Sequence, residues 1–352
     1  MIRLALRQFR TEAIVASAVL VTFAVVLAVT GAHLVSVSDA FKSTCNAAHD
    51  CTTALNPVVG VDMPLQHALE FIGIIAPALV GLFFGAPLIA REFETGTFRL
   101  AWTQTVTRKR WLAVKLGVVG LAAMAFGGLL TWMANWWASP LDAVNQNRFS
   151  VMQFDYHGVA PIGYAAFAFA LGATAGVLLR RTVPAMVATL AGFTAARIAV
   201  TEWVRPNFAS PAHESLPLPV ATLGGWGFIG EPPNLAIQPL SETVPNGWVY
   251  SSEAVNKAGH APTSRYLVHV CPILGQTAPQ TTPSGPKTTA PASQVAPLNA
   301  CVDKLSKTLH TLVTYQPGSR FWPFQWAEMG VFLAAALALC GLTYWWLRRE
   351  YA

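Results

Sequence analysis

Long apolar runs separated by short charged turns set the pattern of this chain. A membrane-crossing helix needs about 20 predominantly apolar residues, and six stretches meet or approach that length: 13–32, 71–90, 116–141, 158–179, 182–200 and 329–347. The first carries no charge. The fifth reaches Arg197 after fifteen uncharged residues, so it is expected to run to about Val200 with Arg197 near a headgroup. Pro77 and Pro87 fall inside the second stretch and are expected to kink it, with neighbouring helices satisfying the freed carbonyls. Residues 1–12 place Arg3, Arg7 and Arg10 at helical spacing with Ile2, Leu6 and Phe9 elsewhere, the pattern of an amphipathic helix lying in the interface.

Composition agrees. Hydrophobic residues make up 53% of the 352 and charged residues 11%, against about 25% charged in a soluble domain. The expected class is an all-α polytopic membrane protein. Lys and Arg then orient it. With the N-terminus inside, the short pieces 1–12, 91–115, 180–181 and 348–352 hold 13 of 23 basic residues, and the outside holds 13 of 17 acidic ones. That bias predicts six spans with both termini inside. The net charge of +6 is thereby topological, and nucleic acid is not an expected partner. Trp132, Trp136, Trp137, Trp322, Trp326, Trp345 and Trp346 sit at span ends, as an interfacial indole should. The first apolar run exceeds a signal-peptide core and no clean small-x-small site follows it, so its retention is expected.

Between the fifth and sixth spans, residues 201–320 hold 16 of the 24 prolines. Their turn-rich composition predicts an irregular extracytoplasmic domain, with a Gln/Thr/Pro/Ser/Ala-rich flexible linker at 274–297. Leu298, Val302, Leu305, Leu309 and Leu312 recur at three- and four-residue spacing, which reads as a short amphipathic helix leading to the membrane. Cys45 and Cys51 fall in the first outside loop and Cys271 and Cys301 in the last, where an oxidising compartment favours disulfides. Cys45–Cys51 with Cys271–Cys301 is the simplest of the three connectivities, leaving Cys340 free in the sixth span. Gly81-Leu-Phe-Phe-Gly85 and Gly172-Ala-Thr-Ala-Gly176 are small-xxx-small patterns that permit close helix contact, within the chain or between subunits; packing within the chain is the simpler reading.

Several chemistries lack their residues. No P-loop, His-Glu-x-x-His or Gly-x-Ser-x-Gly motif occurs, so the chain has no nucleotide-binding loop of its own and no familiar hydrolase centre. His49 and His269, near cysteines, read as loop histidines rather than metal ligands. No carboxylate–histidine or carboxylate–lysine set is evident inside the spans, which argues against proton-driven transport; Arg197 and Glu328 lie near the outer boundary.

The turn at 91–110, between the second and third spans, is the most informative segment. Five of its residues are Lys or Arg, as topology requires, but topology does not explain Glu92, Glu94, Gly96 and Thr97. Thr95 or Thr97 is placed to cap a short helix, with Phe98, Leu100 and Trp102 holding it against the membrane. Arg91-Glu92-Phe93-Glu94-Thr95-Gly96-Thr97, followed by Thr107-Arg108 and Lys115, resembles the corresponding loop of type-2 ABC transporter permeases, and the N-terminal helix and six spans fit that family. The Tyr315-Gln-Pro-Gly-Ser-Arg-Phe-Trp322 approach to the sixth span resembles permeases of high-GC Gram-positive bacteria. The resemblance implies a coupling helix docking into a separate ATPase subunit, with Glu92, Glu94, Gly96, Thr97, Arg99, Arg108 and Lys115 as its transmission elements. It implies an ATPase dimer carrying ATP and Mg, a second permease copy or homologue, export across a bacterial plasma membrane, and no cofactor or catalytic residue on this chain. The large disulfide-bearing segment before the sixth span departs from that family, where the connection is short. A receptor whose outside domain binds a ligand, and a membrane enzyme acting on lipid, are the rival readings; the second lacks clustered catalytic groups.

Overall fold

The computed structural model describes residues 9–48, 56–96, 108–145, 148–217, 226–230, 232–239, 244, 246–275, 300–301 and 303–350. Residues 1–8 of the expected helix at 1–12, Cys51, Thr97, Arg99 and most of the 274–297 linker lie outside them. The chain divides into two compact units, residues 1–209 with 320–352, and residues 210–319.

The first unit is helical. α1 covers Arg10–Ala48 and α2 covers Asn56–Val80; a π-turn, Gly81–Gly85, joins α2 to α3, Ala86–Thr95. Then come α4, Arg108–Asn145, the short α5, Val151–Tyr156, α6, Ala160–Leu179, and α7, Thr182–Ala199. α7 continues through a π-turn, Val200–Val204, and a 3-10 turn, Arg205–Asn207. α9, Phe321–Glu350, is the last helix. Among the described residues, six stretches are long and apolar enough to cross a membrane: Arg10–Ser36, Pro64–Thr95, Arg110–Pro140, Ala160–Leu179, Thr182–Asn207 and Gly318–Arg349, here spans 1 to 6.

Several ends differ from the sequence reading. Charged residues beyond an apolar run do not stop a helix, so span 2 carries on to Thr95 and span 5 to Asn207. Pro77 lies inside α2, while Pro87 stands in the first turn of α3, just after the π-turn.

Span 4 is the hub. Its most apolar window is 78% buried, against 6% for span 1. It is built from small residues and rings, with Tyr164 and Phe167 packed on Phe332 of span 6 and Phe193 of span 5 against Phe167. The two small-xxx-small patterns meet each other within the chain. A Cβ on Gly172 would lie 2.4 Å from the Gly81 carbonyl oxygen, and one on Gly85 would lie 2.5 Å from that of Phe169.

The second unit is not irregular, which corrects the sequence expectation. β1 (Ala212–Pro217), β5 (Leu309–Gln316) and β4 (Trp248–Asn256) form an antiparallel sheet in the order β1-β5-β4. β2 (Trp226–Ile229) and β3 (Ala236–Pro239) form a two-stranded ribbon. The proposed helix through Leu309 and Leu312 is likewise corrected: residues 300–301 and 303–306 are helical, but the chain then enters β5. Tyr315 donates to Glu214 at 2.6 Å across β1 and β5, a bond that pushes its phenol above the ordinary value.

α8, Ser264–Val270, packs Leu267 against Leu235, Ile237, Leu305 and Leu309, and the Cys271–Cys301 disulfide is part of that core. Cys340 is free, and Cys45–Cys51 falls partly outside the described residues. The disulfide closes a 30-residue separation, which by loop-closure entropy stabilises the unit by about 3.6 kcal/mol. We expect Cys271→Ser with Cys301→Ser to raise proteolysis of 248–275 sharply while membrane insertion is kept. Unchanged protection would show the core holding without the bond.

Candidate functional site

The charged turn begins as a continuation of span 2. Thr95 donates its hydroxyl to the Arg91 carbonyl at 2.9 Å, so it lies in the last turn of α3 and does not cap a new helix, contrary to the sequence reading. Gly96 is the C-cap, at φ 71°, where a side chain would be strained. Arg108 is the first residue of α4.

Two carboxylates of this turn reach other spans. Glu92 accepts from Lys115 of span 3, and both side chains are buried or nearly so. Lys115 also stands 4.9 Å from the Trp111 ring centre. This is a carboxylate–lysine pair at the ends of two spans, which sequence reasoning did not find. Glu94 reaches span 5. Its Oε1 accepts the Thr182 backbone N–H at 2.9 Å and its Oε2 accepts the Thr182 hydroxyl at 2.6 Å. A carboxylate over the first N–H groups of α7 satisfies an otherwise orphaned donor and faces the positive end of the helix dipole. Beside it Arg180 ends α6 at φ 55° and stands 5.9 Å from the Phe93 ring centre. Both acidic residues thus bind this chain's own helices, one through a lysine and one through a helix N-terminus. Of the seven coupling residues named from sequence, the structure brings together Glu92 and Lys115, sets Glu94 and Gly96 beside them in one turn, and puts Arg108 at the next helix start.

The opposite ends of spans 4, 5 and 6 hold a second cluster. Glu328 accepts from Arg205 Nε at 2.7 Å and Arg205 Nη2 at 2.8 Å, from Arg197 Nη1 at 3.0 Å, and from the Tyr164 hydroxyl at 2.6 Å. Asp155 of α5 pairs with both arginines at 2.5 Å. Arg205 and Glu328 are 1% and 0% exposed, so the network is enclosed. Arg197 is held by Asp155 and Glu328 within this network and lies 3.7 Å above the Tyr164 ring centre. Regular helical spacing would set Arg197 and Arg205 about 80° apart around the axis. The π-turn at Val200–Val204 slows that rotation, and both arginines reach the same two carboxylates.

Gln325 completes the arrangement. It donates to the Phe154 carbonyl at 2.8 Å and accepts the Val159 and Ala160 N–H groups at 3.1 and 2.9 Å, which caps α6. Gly158, at φ 71°, leaves room for it: a Cβ there would be 2.6 Å from the Gln325 side chain. Asp155, Arg205 and Gln325 were not picked out from sequence. A usable signal existed: two acidic and two basic residues fall near the same ends of three consecutive spans.

The family described as ABC-2 membrane transporter related matches residues 17–205. No curated protein and no solved structure matches the chain. The matched stretch runs from span 1 to the end of span 5 and includes the charged turn, Lys115, Thr182 and both arginines of the buried network. This chain is a member of the ABC-2 membrane transporter related family, a membrane transport protein of the ABC-2 permease type.

Proposed function

We propose that this chain is the permease subunit of an ATP-driven exporter in a bacterial plasma membrane, with both termini and the charged turn on the cytoplasmic side. A separate ATPase dimer carries ATP and Mg. A second permease copy or homologue completes the pathway, and residues 210–319 face outward. The charge bias of the short loops supports this orientation, as does a disulfide that an oxidising compartment favours.

One observation carries the coupling role. The turn that ends span 2 holds span 3 through Glu92–Lys115 and the start of span 5 through Glu94–Thr182. A partner that displaces this turn acts on three spans at once, and ATP binding shifts the permease only through such differential contacts.

Glu94→Lys removes the cap over Thr182 and places a cation at a helix N-terminus, both unfavourable there. Gly96→Val strains the left-handed C-cap. Both variants are expected to insert normally and to uncouple hydrolysis from transport, read by pull-down of the ATPase and by transport-linked hydrolysis in vesicles. Wild-type coupling in both would remove the turn from the mechanism. For orientation, an impermeant thiol reagent on intact cells should label Ser284→Cys and spare Thr105→Cys; the reverse pattern would overturn the membrane map.

A further inference from the structure

Between spans 1 and 2 lies a lateral groove of about 1210 Å³, lined by apolar side chains such as Val15, Val19, Val26, Ile72 and Leu79. It runs from Thr11 to Val26 along span 1, about 22 Å at the rise of an α-helix. At one end it adjoins a more polar cavity of about 350 Å³ that contains Phe9, Glu12, Phe84, Arg91, Glu92 and Lys115. Glu12, Phe83, Phe84, Pro87 and Arg91 line both, so the two spaces are neighbours. The polar end falls where span 1 begins and span 2 ends.

The charges at that mouth divide unequally. Glu92 and Lys115 pair with each other. Glu12 and Arg91, of opposite sign, have no ion-pair partner among the described residues; Glu12 accepts only from the neighbouring Thr11 hydroxyl, at 2.9 Å. A complementary occupant has an anion for Arg91, an N–H cation for Glu12, and apolar chains for the groove. We propose that this groove binds a phospholipid whose headgroup carries both a phosphate and a primary ammonium. The phosphate lies on the Arg91 guanidinium, which suits phosphate oxygens. The ammonium donates to the Glu12 carboxylate. A choline head lacks the N–H donors, and a glycerol head brings its net negative charge against Glu12 with no cation to offset it. The site stands whether or not the chain couples to an ATPase, so its failure leaves the permease reading untouched.

The test is native mass spectrometry of the delipidated full chain, offered equal amounts of phosphatidylethanolamine, phosphatidylcholine and phosphatidylglycerol with matched acyl chains. Wild type is expected to retain the ethanolamine lipid about tenfold over either rival, a difference of about 1.4 kcal/mol. Glu12→Gln should erase that preference, and Arg91→Gln should lower retention of all three. Arg91 is exposed and Glu12 half-buried, and glutamine is close in length, so both variants should fold. Val19→Trp, which fills the groove from an exposed position, should lower retention of every lipid without changing their order. Equal retention of the three lipids by wild type and variants would mean bulk solvation only and would overturn the site. A preference for phosphatidylglycerol that survives Glu12→Gln would overturn it equally, by showing a simple anion site.

Discussion

Glu328→Ala should be among the most damaging single substitutions in this protein, lowering stability by about 3 to 5 kcal/mol, because it leaves buried arginine charge uncompensated. Glu328 accepts four hydrogen bonds, from Arg205, Arg197 and Tyr164, and its side chain is fully enclosed. Asp155 remains in the variant, but one carboxylate then faces two guanidinium groups. The double variant Arg205→Met with Glu328→Leu should be distinctly less harmful than the two single changes summed, since Asp155–Arg197 survives as a balanced pair. Denaturant unfolding of the purified chain in nanodiscs measures both. Added salt should change the wild-type midpoint little, because enclosed pairs are poorly screened. Simple additivity of the two single changes would show that the charges do not act as one network, and that the helix ends are held by Gln325 and the surrounding rings instead.

The spans were legible because apolar length is a one-dimensional property: a stretch of twenty such residues has few alternatives. Their ends were not, since a helix outlasts its apolar run wherever the following residues tolerate it, as Arg91 to Thr95 and Val200 to Asn207 do. The charged turn was found for a similar reason. Glu92, Glu94, Gly96 and Lys115 stood out against their neighbours, but their partners did not. Thr182 lies 88 residues from Glu94 and has no mark in the sequence. The buried network was hidden by the reflex that places a charge near a span end in headgroups. That reflex treats each charge alone, whereas four charges of balanced sign become enclosed together. The sheet was missed for a different reason. Leu309 and Leu312 fit a helical spacing, yet the strand opens with Leu309, Thr311 and Val313 buried, a period of two, and ends on a buried Gln316. Counting only leucines hid the threonine that completes the alternation.

Gly172→Val should abolish accumulation of folded protein, and Gly172→Ala alone should cost about 3 kcal/mol, the upper end for inserting a methyl into a packed interior. The contact is backbone against backbone. A Cβ at Gly172 would meet the Gly81 carbonyl oxygen at 2.4 Å, the Ala86 nitrogen at 2.7 Å and the Gly85 carbonyl carbon at 3.0 Å, and no rotamer change relieves any of them. Spans 2 and 4 must then separate, and span 4 is the element around which spans 2, 5 and 6 pack. Membranes offer little hydrophobic drive to close the gap, because lipid tails are as apolar as the side chains; close packing is the stabilising contribution that is lost. Gly330 on span 6 is the control, since a Cβ there meets nothing within 4 Å and Gly330→Ala should be neutral or slightly stabilising. The same small side chains at Gly81, Gly85 and Gly176 should show the effect, each with backbone atoms inside 3 Å. Membrane-inserted yield and unfolding midpoint, compared across these five positions, decide it. Tolerance of valine at Gly172 would mean that the two spans do not pack through these glycines, and that the pair is free to meet a second subunit instead.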